Sequence, residues 1–354
     1  MPVNRDASSY IKQKAAISSA VADLFANATK PKGTIGNNIT KPVVFVPEPP
    51  PPFIFRDEQF PNKVIVAGVL NDGNSSVNGI GTSAKFNSIV SSFRIDNIIY
   101  VVDRAFFNIR KFNIITTEVS TYISANAALN PTITTSLLNY PSSIAYDSRQ
   151  NIMYIGQKTN ILKVDMNNNT ISELISLSPI STTCVSIIYE DNNLYYADPS
   201  QSVIYRVNLL NNNALTLLAG TKNSSGYENS INGATAKFNI GNTYDSCLTM
   251  DTARNLYLAD VNNKAIRKIN IDTSRVSTFL TLSDFTKIIY YDKTENSLYY
   301  SESSYIKKIS MKNPFYFIPT MDTVGSLEDL GGFIVVNRNL IYLTSGRSVI
   351  YKIY

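Results

Sequence analysis

The sequence predicts an all-β protein, a six-bladed β-propeller that follows an N-terminal arm, and three observations lead to this prediction. A glycine-rich stretch occurs twice, a short tyrosine-containing strand occurs six times, and a strand with a basic residue follows each of those tyrosines. Internal repeats of this kind decide the architecture, because one repeat cannot bury both of its faces alone. With 354 residues, 44% of them hydrophobic, the chain can supply a core for such a ring of repeats.

The glycine-rich stretch reads AGVLNDGNSSVNGIGTSAKFN at 67–87 and AGTKNSSGYENSINGATAKFN at 219–239, and the two copies align without a gap. Phosphate-binding and dinucleotide-binding loops place their glycines before a helix, with spacings that neither copy shows. We therefore predict connections between blades, with glycines at positive φ and a phenylalanine inserted between neighbouring blades. The residues assigned to this structural role are Gly68, Gly81, Phe86, Gly220, Gly233 and Phe238.

The tyrosine-containing strand has an apolar-Tyr-apolar pattern that recurs at intervals of roughly 40 to 60 residues. Its tyrosines are Tyr100, Tyr154, Tyr195, Tyr257, Tyr299 and Tyr342. An alternating run precedes each tyrosine, a basic strand follows it, and a more variable fourth run comes next. Units of four short antiparallel strands at this period are typical of a β-propeller.

Closure of the ring is predicted from the two ends of the repeat region. The C-terminus stops at VIYKIY, which is the third strand of the sixth unit, and KVIVAG at 63–68 occupies the place of a fourth strand. The strand 63–68 is therefore expected to complete the last blade. This gives two domains, an arm at 1–62 and a six-bladed propeller at 63–354.

The order AG…G…AKFN, then a strand, then NLYLAD and IRKI resembles the NHL repeat, and the match is best at 67–112 and 219–270. The resemblance implies an NHL-like propeller over roughly 64–354. It also implies that Asp103 and Asp260, which follow the tyrosine strands, accept hydrogen bonds from the backbone. Propellers of this family include enzymes, protein-binding scaffolds and RNA-binding proteins, so the resemblance is specific for fold rather than for function.

No catalytic residue, metal site or cofactor is predicted. The chain has no histidine, which removes the mechanisms that need an imidazole as a base or zinc ligand. The aspartates Asp103, Asp198 and Asp260 could in principle bind calcium, but Gln157, Glu302 and Ser345 replace them in the other units. A calcium-dependent lactonase- or esterase-like hydrolase, or a propeller that binds a small ligand, remains the alternative to a non-enzymatic role.

The formal charge of +5 and the 17% of charged residues indicate a solvated surface rather than a nucleic-acid interface. Six basic residues follow the tyrosines at nearly matching positions, and they could form a cationic ring, although their spacing from the tyrosines varies. They are Lys111, Lys163, Arg206, Lys268, Lys308 and Lys352. No nucleic-acid partner is expected, and an RNA-binding NHL-type propeller is the second alternative.

The arm at 1–62 differs in composition from the repeats. Residues 5–28 lack glycine and proline and are expected to form one amphipathic helix, which is followed by the proline-rich stretch KPVVFVPEPPPPFIF. Because a segment of this length buries little apolar area by itself, we expect it to dock on other proteins, such as capsid or other assembly subunits. The residues assigned to this contact are Tyr10, Ile17, Val21, Leu24, Phe25, Phe45, Phe53 and Phe55.

The N-terminus has no apolar signal-peptide core, and the chain has no apolar run of about 18 residues, so neither secretion through a standard signal peptide nor a membrane partner is expected. The opening RDASSYIKQKAA resembles N-termini of virion proteins from large DNA viruses, and the residue usage is typical of an AT-rich genome. The sequence thus predicts a non-enzymatic interaction scaffold that is a structural component of a large assembly such as a virus particle. The predicted location is the virion, or otherwise the cytoplasm.

Overall fold

The computed structural model describes residues 63–70, 75–178, 186–241, 247–303, 305–311, 317–322, 330–336, 339–344 and 349–353. The chain divides into two units, Met1–Pro50 and Pro51–Tyr354, and every described residue belongs to the second. The predicted arm at 1–62 and its contact residues lie outside the described residues. Within the described ranges, no helix has the length and apolar character that crossing a membrane requires.

The first strand is β1 (Lys63–Gly68), and the next six strands form the first sheet, blade 1. They are β2 (Gly79–Ile80), β3 (Ile89–Ile95), β4 (Ile98–Asp103), β5 (Asn108–Asn113), β6 (Glu118–Ser124) and β7 (Ile133–Thr134). Strands β3 to β6 are an antiparallel meander, and β2 and β7 both pair with β6. The chain that enters blade 1 therefore covers part of its outer edge before it begins the inner strand.

Blades 2 to 5 are antiparallel sheets of four strands in chain order. Blade 2 contains β8 (Pro141–Asp147), β9 (Ile152–Gln157), β10 (Asn160–Asp165) and β11 (Thr170–Ser176). Blade 3 contains β12 (Ser186–Glu190), β13 (Asn193–Asp198), β14 (Val203–Asn208) and β15 (Ala214–Ala219). Blade 4 contains β16 (Leu248–Met250), β17 (Asn255–Asp260), β18 (Ala265–Asn270) and β19 (Val276–Thr281). Blade 5 contains β20 (Ile289–Asp292), β21 (Ser297–Glu302), β22 (Tyr305–Ser310) and β23 (Phe317–Asp322).

A further sheet joins the two ends of the described chain. It contains β24 (Leu330–Val336), β25 (Asn339–Thr344) and β26 (Val349–Ile353), and β1 is its fourth strand. Strand β1 pairs antiparallel with β26, with Ile65 opposite Tyr351 and Gly68 opposite Val349. The sheet thus combines strands from opposite ends of the described region.

The first strand of each blade lies beside the first strand of the next blade. Strand β3 lies beside β8, β8 beside β12, β12 beside β16, and β16 beside β20. Strand β24 contacts both β20 and β3. These inner strands surround a central channel, and the later strands of each meander lie progressively farther from it.

The hydrophobic core lies between neighbouring sheets rather than within one of them. Tyr122 and Ile109 of blade 1 belong to one buried cluster with Met153 of blade 2. Likewise, Ile204 of blade 3 packs in one cluster with Leu258 of blade 4. The alternation of apolar residues along each strand produces this arrangement, because successive side chains point to opposite faces of a sheet.

Turns between the strands use left-handed backbone positions, which explains part of the asparagine-rich composition. Asn151, Asn192 and Asn296 have φ values of 56°, 56° and 50° in turns that follow inner strands. Asparagine tolerates this conformation better than most residues, since its short polar side chain bonds to the local backbone. Short 3-10 turns occupy Gly81–Ser83, Arg104–Phe106, Ala127–Leu129, Gly233–Thr235 and Val261–Asn263.

Candidate functional site

A buried ion pair lies in each of the two blades that a glycine-rich segment precedes. In blade 4, Arg267 Nη1 donates to Asp260 Oδ2 at 2.8 Å, and both side chains are fully buried. In blade 1, Arg110 Nη1 and Asp103 Oδ2 form the equivalent pair at 3.4 Å, with both side chains again fully buried. Burying two charges is costly unless further hydrogen bonds satisfy them, so the remaining partners decide what each pair does.

Each aspartate holds the end of its glycine-rich segment against the blade. Asp260 Oδ1 accepts a hydrogen bond from the backbone amide of Asn239 at 2.7 Å. Asp103 Oδ1 accepts from the amides of Asn87 and Ser88 at 3.0 Å and 3.1 Å. The carboxylates therefore fix the last residues of AKFN to the end of the second strand.

Each arginine holds the middle of the same segment. Arg267 donates to the carbonyl oxygens of Lys237 and Glu228 at 3.0 Å and 2.8 Å, and to Asn229 Oδ1 at 2.8 Å. Asn229 Oδ1 also accepts a hydrogen bond from Thr278 Oγ1 at 3.2 Å. In blade 1, the equivalent acceptors of Arg110 are Lys85 O (3.1 Å), Val77 O (2.9 Å) and Asn78 Oδ1 (2.9 Å). The glycine-rich segments are thus bound by their own blades.

The two phenylalanines assigned to blade packing lie in the core between sheets. Phe86 and Phe238 are fully buried, in clusters that join residues of adjacent sheets. The Arg110 guanidinium lies over the Phe86 ring at 5.3 Å, and the Arg267 guanidinium lies over the Phe238 ring at 5.2 Å. A desolvated guanidinium gains from such a contact with the ring face, so the phenylalanine is part of the arginine's environment.

Sequence reasoning missed Arg110 and Arg267 and selected the neighbouring lysines instead. The signal was the Arg-Lys pair shared by NIRKFNI and AIRKINI, the third strands of the two blades that have a glycine-rich segment. Blades 2 and 3 have Leu162 and Tyr205 at the corresponding register positions. The arginine therefore occurs together with the segment that it holds.

In blades 2 and 3, the residues at the position of Asp103 and Asp260 also accept hydrogen bonds from backbone amides. Gln157 Oε1 accepts from the backbone amide of Asn139 at 2.5 Å, so it holds the connection into blade 2. Asp198 accepts from the amide of Gln201 at 3.2 Å within its own turn. Ser345 lies outside the described residues. Among the described blades, these side chains act as acceptors for turns and connections.

In blade 5, Glu302 and Lys307 form the corresponding pair. Glu302 Oε1 also accepts from the backbone amide of Ser283 at 2.7 Å. Burial by itself raises the pKa of the Glu302 carboxyl, but the hydrogen bonds from Lys307 and Ser283 outweigh it and lower that pKa below its usual value. This pair therefore favours the ionised carboxylate.

Two of the glycines end the strand before a glycine-rich segment. Gly68 is the last residue of β1 and has a φ of 93°, and Gly220 follows β15 with a φ of 99°. A Cβ at Gly220 would lie 2.6 Å from the Ser202 carbonyl oxygen, so both the backbone conformation and the space require glycine.

Gly81 and Gly233, at matching positions of the two segments, are glycine for different reasons. Gly81 has φ of 57°, and the nearest atom to an added Cβ is Thr117 Oγ1 at 3.8 Å. Gly233 does not have a positive φ, so the prediction of a positive φ was wrong for this glycine. An added Cβ would lie 2.4 Å from Leu218 O and 2.7 Å from Ser274 O, so close backbone approach excludes a side chain there.

The gap-free alignment of the two segments also needs a correction. It places Val77 opposite Asn229, but the backbone bridges pair Val77 with Lys85 and Glu228 with Lys237. Glu228, rather than Asn229, therefore occupies the place of Val77. The two segments reach the same arginine contacts with their residues offset by one position.

The central channel is lined by hydroxyl and aliphatic side chains. At four successive blade junctions, a hydroxyl on one inner strand accepts a backbone N–H from the next inner strand. These pairs are Ile144 N to Ser91 Oγ (3.3 Å), Ile187 N to Ser143 Oγ (3.0 Å), Leu248 N to Ser186 Oγ (3.1 Å) and Tyr291 N to Thr249 Oγ1 (2.9 Å). The hydroxyls thus connect neighbouring blades around the described part of the channel.

The cavity between these inner strands has a volume of about 80 Å³. Its lining residues include Ser92, Ile187, Leu248 and Tyr290, and no carboxylate is among the lining residues that the structure describes. This space is enough for a few water molecules, because one water needs roughly 30 Å³ of liquid volume.

We expect Ser143→Ala to lower the free energy of unfolding by about 1–2 kcal/mol, because it leaves the buried amide of Ile187 without its acceptor. Ser92→Ala is the matched control, since Ser92 lines the same cavity and forms no inter-blade bond among the described contacts. Urea denaturation of both variants measures the difference. Equal stability of the two variants would show that the inter-blade hydrogen bonds contribute nothing.

The basic residues considered for a cationic ring do not lie on the channel. Each of the first five lies on the third strand of its blade, directly opposite the tyrosine of the second strand, as the pair Tyr100 and Lys111 illustrates. The others are Lys163, Arg206, Lys268 and Lys308 opposite Tyr154, Tyr195, Tyr257 and Tyr299. The unequal spacing reflects turn length rather than register. Lys352 pairs with Ile341 and not with Tyr342.

Comparisons with known proteins support the fold. No protein-family model matches the sequence, and no curated protein matches it significantly. A solved structure of a protein of unknown function from Bacteroides thetaiotaomicron has a TM-score of 0.62 at 13% identity, covering 82% of this chain and 75% of that chain. A luciferin-regenerating enzyme has a TM-score of 0.55 at 10% identity, covering 76% of this chain and 92% of that chain. Nidogen, in a complex with laminin, has a TM-score of 0.50 at 14% identity, covering 73% and 93%.

The strand meanders, the ring of inner strands and these likenesses define the class of protein: the chain is an all-β propeller. It is similar in fold to the propellers of the luciferin-regenerating enzyme and nidogen. At 10–14% identity, the likeness concerns the fold alone.

Proposed function

We propose that the chain is a non-enzymatic scaffold for protein–protein interactions, anchored by its N-terminal arm in a large assembly such as a virus particle. The observation that best supports a scaffold is the described cavity of about 80 Å³ between the inner strands, where hydroxyl side chains bond to neighbouring blades. Small-molecule sites usually occupy roughly 300 Å³ or more. Partners would then bind to the outer surfaces of the propeller and to the arm. The virus particle is suggested by the N-terminal sequence and composition only.

We infer a six-bladed propeller of NHL type, closed by the strand 63–68. The pairing of β1 with β26 supports this closure, as does the position of β24 beside β3. Ala67 and Ile350 also share a buried cluster with Phe86 and Ile99 of the blade 1 region. Such a seam joins distant parts of the chain, so it stabilises the ring by tertiary contacts rather than by local sequence.

A calcium-dependent hydrolase, or a propeller that binds a small ligand, would need oxygen ligands directed into the channel. The described lining supplies hydroxyl and aliphatic side chains. In the described ranges, no cluster of three or more histidine, cysteine, aspartate or glutamate residues is suited to a metal ion. The scaffold is therefore the better supported proposal, and a calcium-dependent rise in the unfolding temperature of the purified protein would favour the hydrolase.

An RNA-binding propeller is the second alternative. Binding to phosphates needs a concentrated basic surface and weakens steeply as salt increases. The five basic residues opposite the tyrosines lie on separate blades, and some already have partners, since Lys308 pairs with Glu295 and Arg206 Nε donates to Asn193. Their arrangement gives less support to nucleic-acid binding than to a scaffold.

The anchoring proposal predicts the effect of removing the arm. Deletion of residues 1–50 is expected to leave a folded propeller that no longer enters the native assembly, because the anchor is lost while the blades keep their contacts. Circular dichroism tests folding, and mass spectrometry of the purified assembly tests incorporation. Leu210→Ser in the full chain is the control, since Leu210 is 80% exposed on the propeller. Incorporation of the shortened protein at normal levels would contradict the anchoring role.

A further inference from the structure

The dipeptide Asn-Gly occurs twice in the chain, once in each glycine-rich segment, at 78–79 and at 232–233. In this dipeptide the backbone nitrogen of glycine can attack the asparagine carboxamide, because glycine has no Cβ to hinder the approach and its backbone rotates freely. The two copies have the same local chemistry, so a difference in their reactivity has to come from the fold. Their surroundings in blade 1 and in blade 4 are different.

In blade 1, three hydrogen bonds hold the carboxamide of Asn78. Its Nδ2 donates to Leu129 O at 2.7 Å, and its Oδ1 accepts from Arg110 Nη2 and from Thr121 Oγ1, both at 2.9 Å. Gly79, which would supply the attacking nitrogen, lies in β2 and is paired with β6. Attack on the Asn78 carboxamide therefore requires separation of two strands and loss of contacts with a buried arginine.

In blade 4, the carboxamide of Asn232 is exposed and has one hydrogen bond among the described contacts. Its Oδ1 accepts from the backbone amide of Ala234 at 3.2 Å, so Asn232 is the N-cap of the short 3-10 turn Gly233–Thr235. No hydrogen bond from Asn232 Nδ2 or from the Gly233 amide is among those contacts. Both the nitrogen that would leave and the nitrogen that would attack are thus unrestrained by hydrogen bonds in the described part of the chain.

The reaction at Asn232 needs only a local opening of this turn. In the closed turn Asn232 has a ψ of 111°, and this angle has to rotate before the Gly233 nitrogen comes within reach of the Asn232 Cγ. The opening breaks the bond to Ala234 and the bonds from Thr235 N (3.0 Å) and Thr235 Oγ1 (2.9 Å) to Asn232 O. All three residues are exposed, and exposed turns open more easily than paired strands.

We propose that Asn232 is a site of spontaneous deamidation, and that its isoaspartyl product detaches the glycine-rich segment from blade 4. The Gly233 amide loses its proton to water or hydroxide, and its nitrogen forms a bond to Cγ of Asn232. The bond from Cγ to Nδ2 breaks, and Nδ2 takes up a proton and leaves as ammonia. Water then opens the resulting succinimide at one of its two carbonyl carbons, which gives aspartate or isoaspartate without any oxidation or reduction.

The two products affect the fold differently. Aspartate keeps a side-chain acceptor for the Ala234 amide, so the N-cap remains. Isoaspartate carries the backbone through its side-chain carbons and displaces Gly233 by the length of one added atom. Gly233 has little space to move, since a Cβ on it would lie 2.4 Å from Leu218 O, and its own carbonyl oxygen accepts from Gly220 N at 2.9 Å. Isoaspartate therefore separates the segment from the end of β15.

The test ages the purified full chain in mildly alkaline buffer and follows its tryptic peptides by mass spectrometry. Asn232 lies in NSSGYENSINGATAK at 223–237, and Asn78 lies in VIVAGVLNDGNSSVNGIGTSAK at 64–85. Electron-transfer fragmentation locates the change and distinguishes aspartate from isoaspartate. In the folded protein, we expect Asn232 to deamidate at least about tenfold faster than Asn78. In concentrated urea the two rates should become similar, because the fold no longer protects Asn78.

Asn232→Ser is the matched variant, because serine is also a good N-cap but has no carboxamide. Aged wild type that has accumulated isoaspartate should unfold at least about 3 °C below aged Asn232→Ser. Freshly purified Asn232→Asp, which reproduces the aspartyl product, should unfold within about 3 °C of fresh wild type. These comparisons separate the effect of the backbone insertion from the effect of the added charge.

Two results with the wild-type chain would overturn the deamidation site: equal rates at Asn78 and Asn232 in the folded protein, or no reaction at Asn232 unless the chain is unfolded in urea. Aged wild type that contains isoaspartate at 232 but unfolds like aged Asn232→Ser would overturn the detachment of the segment. These outcomes are independent of the scaffold function, because they concern the covalent structure and stability of blade 4.

Discussion

Replacing Arg267 with methionine is expected to lower the free energy of unfolding by about 3–5 kcal/mol at neutral pH. The arginine is fully buried and binds Asp260, two backbone carbonyls and Asn229. Methionine fills much of its volume but leaves the Asp260 carboxylate unpaired in the core. Urea denaturation followed by circular dichroism measures the loss.

The loss should become smaller in acid. Burial raises the pKa of Asp260, whereas hydrogen bonds from Asn263, the Asn239 amide and Arg267 lower it. Without Arg267, the pKa rises further. A carboxyl whose pKa is higher in the folded than in the unfolded state opposes folding above that folded-state pKa, and the penalty disappears as pH falls through it. The difference between wild type and variant should therefore narrow between about pH 7 and about pH 4.

Lys268→Met is the control for this substitution, because Lys268 is the next residue on β18 and is only partly buried. We expect a change within about 0.5 kcal/mol, as for other surface substitutions. Equal losses in the two variants would contradict the role of the buried pair. A loss in Arg267→Met that stays constant with pH would contradict an unpaired Asp260 as its cause.

Gly233→Ala is expected to destabilise the propeller by about 3 kcal/mol, at the upper end of the range for overpacking. The added Cβ would lie 2.4 Å and 2.7 Å from the carbonyl oxygens of Leu218 and Ser274, and neither backbone atom can move without shifting β15 or the turn before β19. The effect should appear in stability and not in binding. Thermal and urea unfolding measure it.

Gly81→Ala, at the matching position of the other segment, is the comparison. Its φ of 57° disfavours alanine, but no atom lies closer than 3.8 Å to the added Cβ, so we expect a loss of about 1–2 kcal/mol. A larger loss at Gly81 than at Gly233 would contradict the steric explanation.

The sequence predicted the strands well because the information for them is local. Alternating apolar residues and turn formers give the four-stranded units, and the six predicted tyrosines fall in second strands, as Tyr100 in β4 and Tyr257 in β17 show. The recurrence of AKFN indicated a shared structural role for Phe86 and Phe238, which are both fully buried.

The buried arginines could not be predicted in the same way, because their burial depends on contacts across the fold. Arg267 meets Glu228 only when the chain returns from β15 around the outside of blade 4. In an isolated strand, Arg267 and Lys268 differ only in the face on which they lie, and basic residues are usually exposed.

Two other differences also arise from tertiary geometry. The sequence does not indicate that two carbonyl oxygens leave no space for a Cβ at Gly233. It also does not indicate that Gly81 is required for its positive φ instead. The basic residues are irregularly spaced along the chain. In the sheet, turns of different length bring Lys111 and Lys163 to the same place opposite their tyrosines.

The glycine-rich segments are structural parts of the blades, because buried aspartate–arginine pairs hold them in place. A double-mutant cycle with Asp260→Asn and Arg267→Met measures the coupling within one of these pairs. Each single variant leaves one buried charge unpaired, and the double variant leaves none, so the double variant should be more stable than the sum of the single losses predicts by about 2–3 kcal/mol. Additive losses, with no coupling between Asp260 and Arg267, would contradict this structural role.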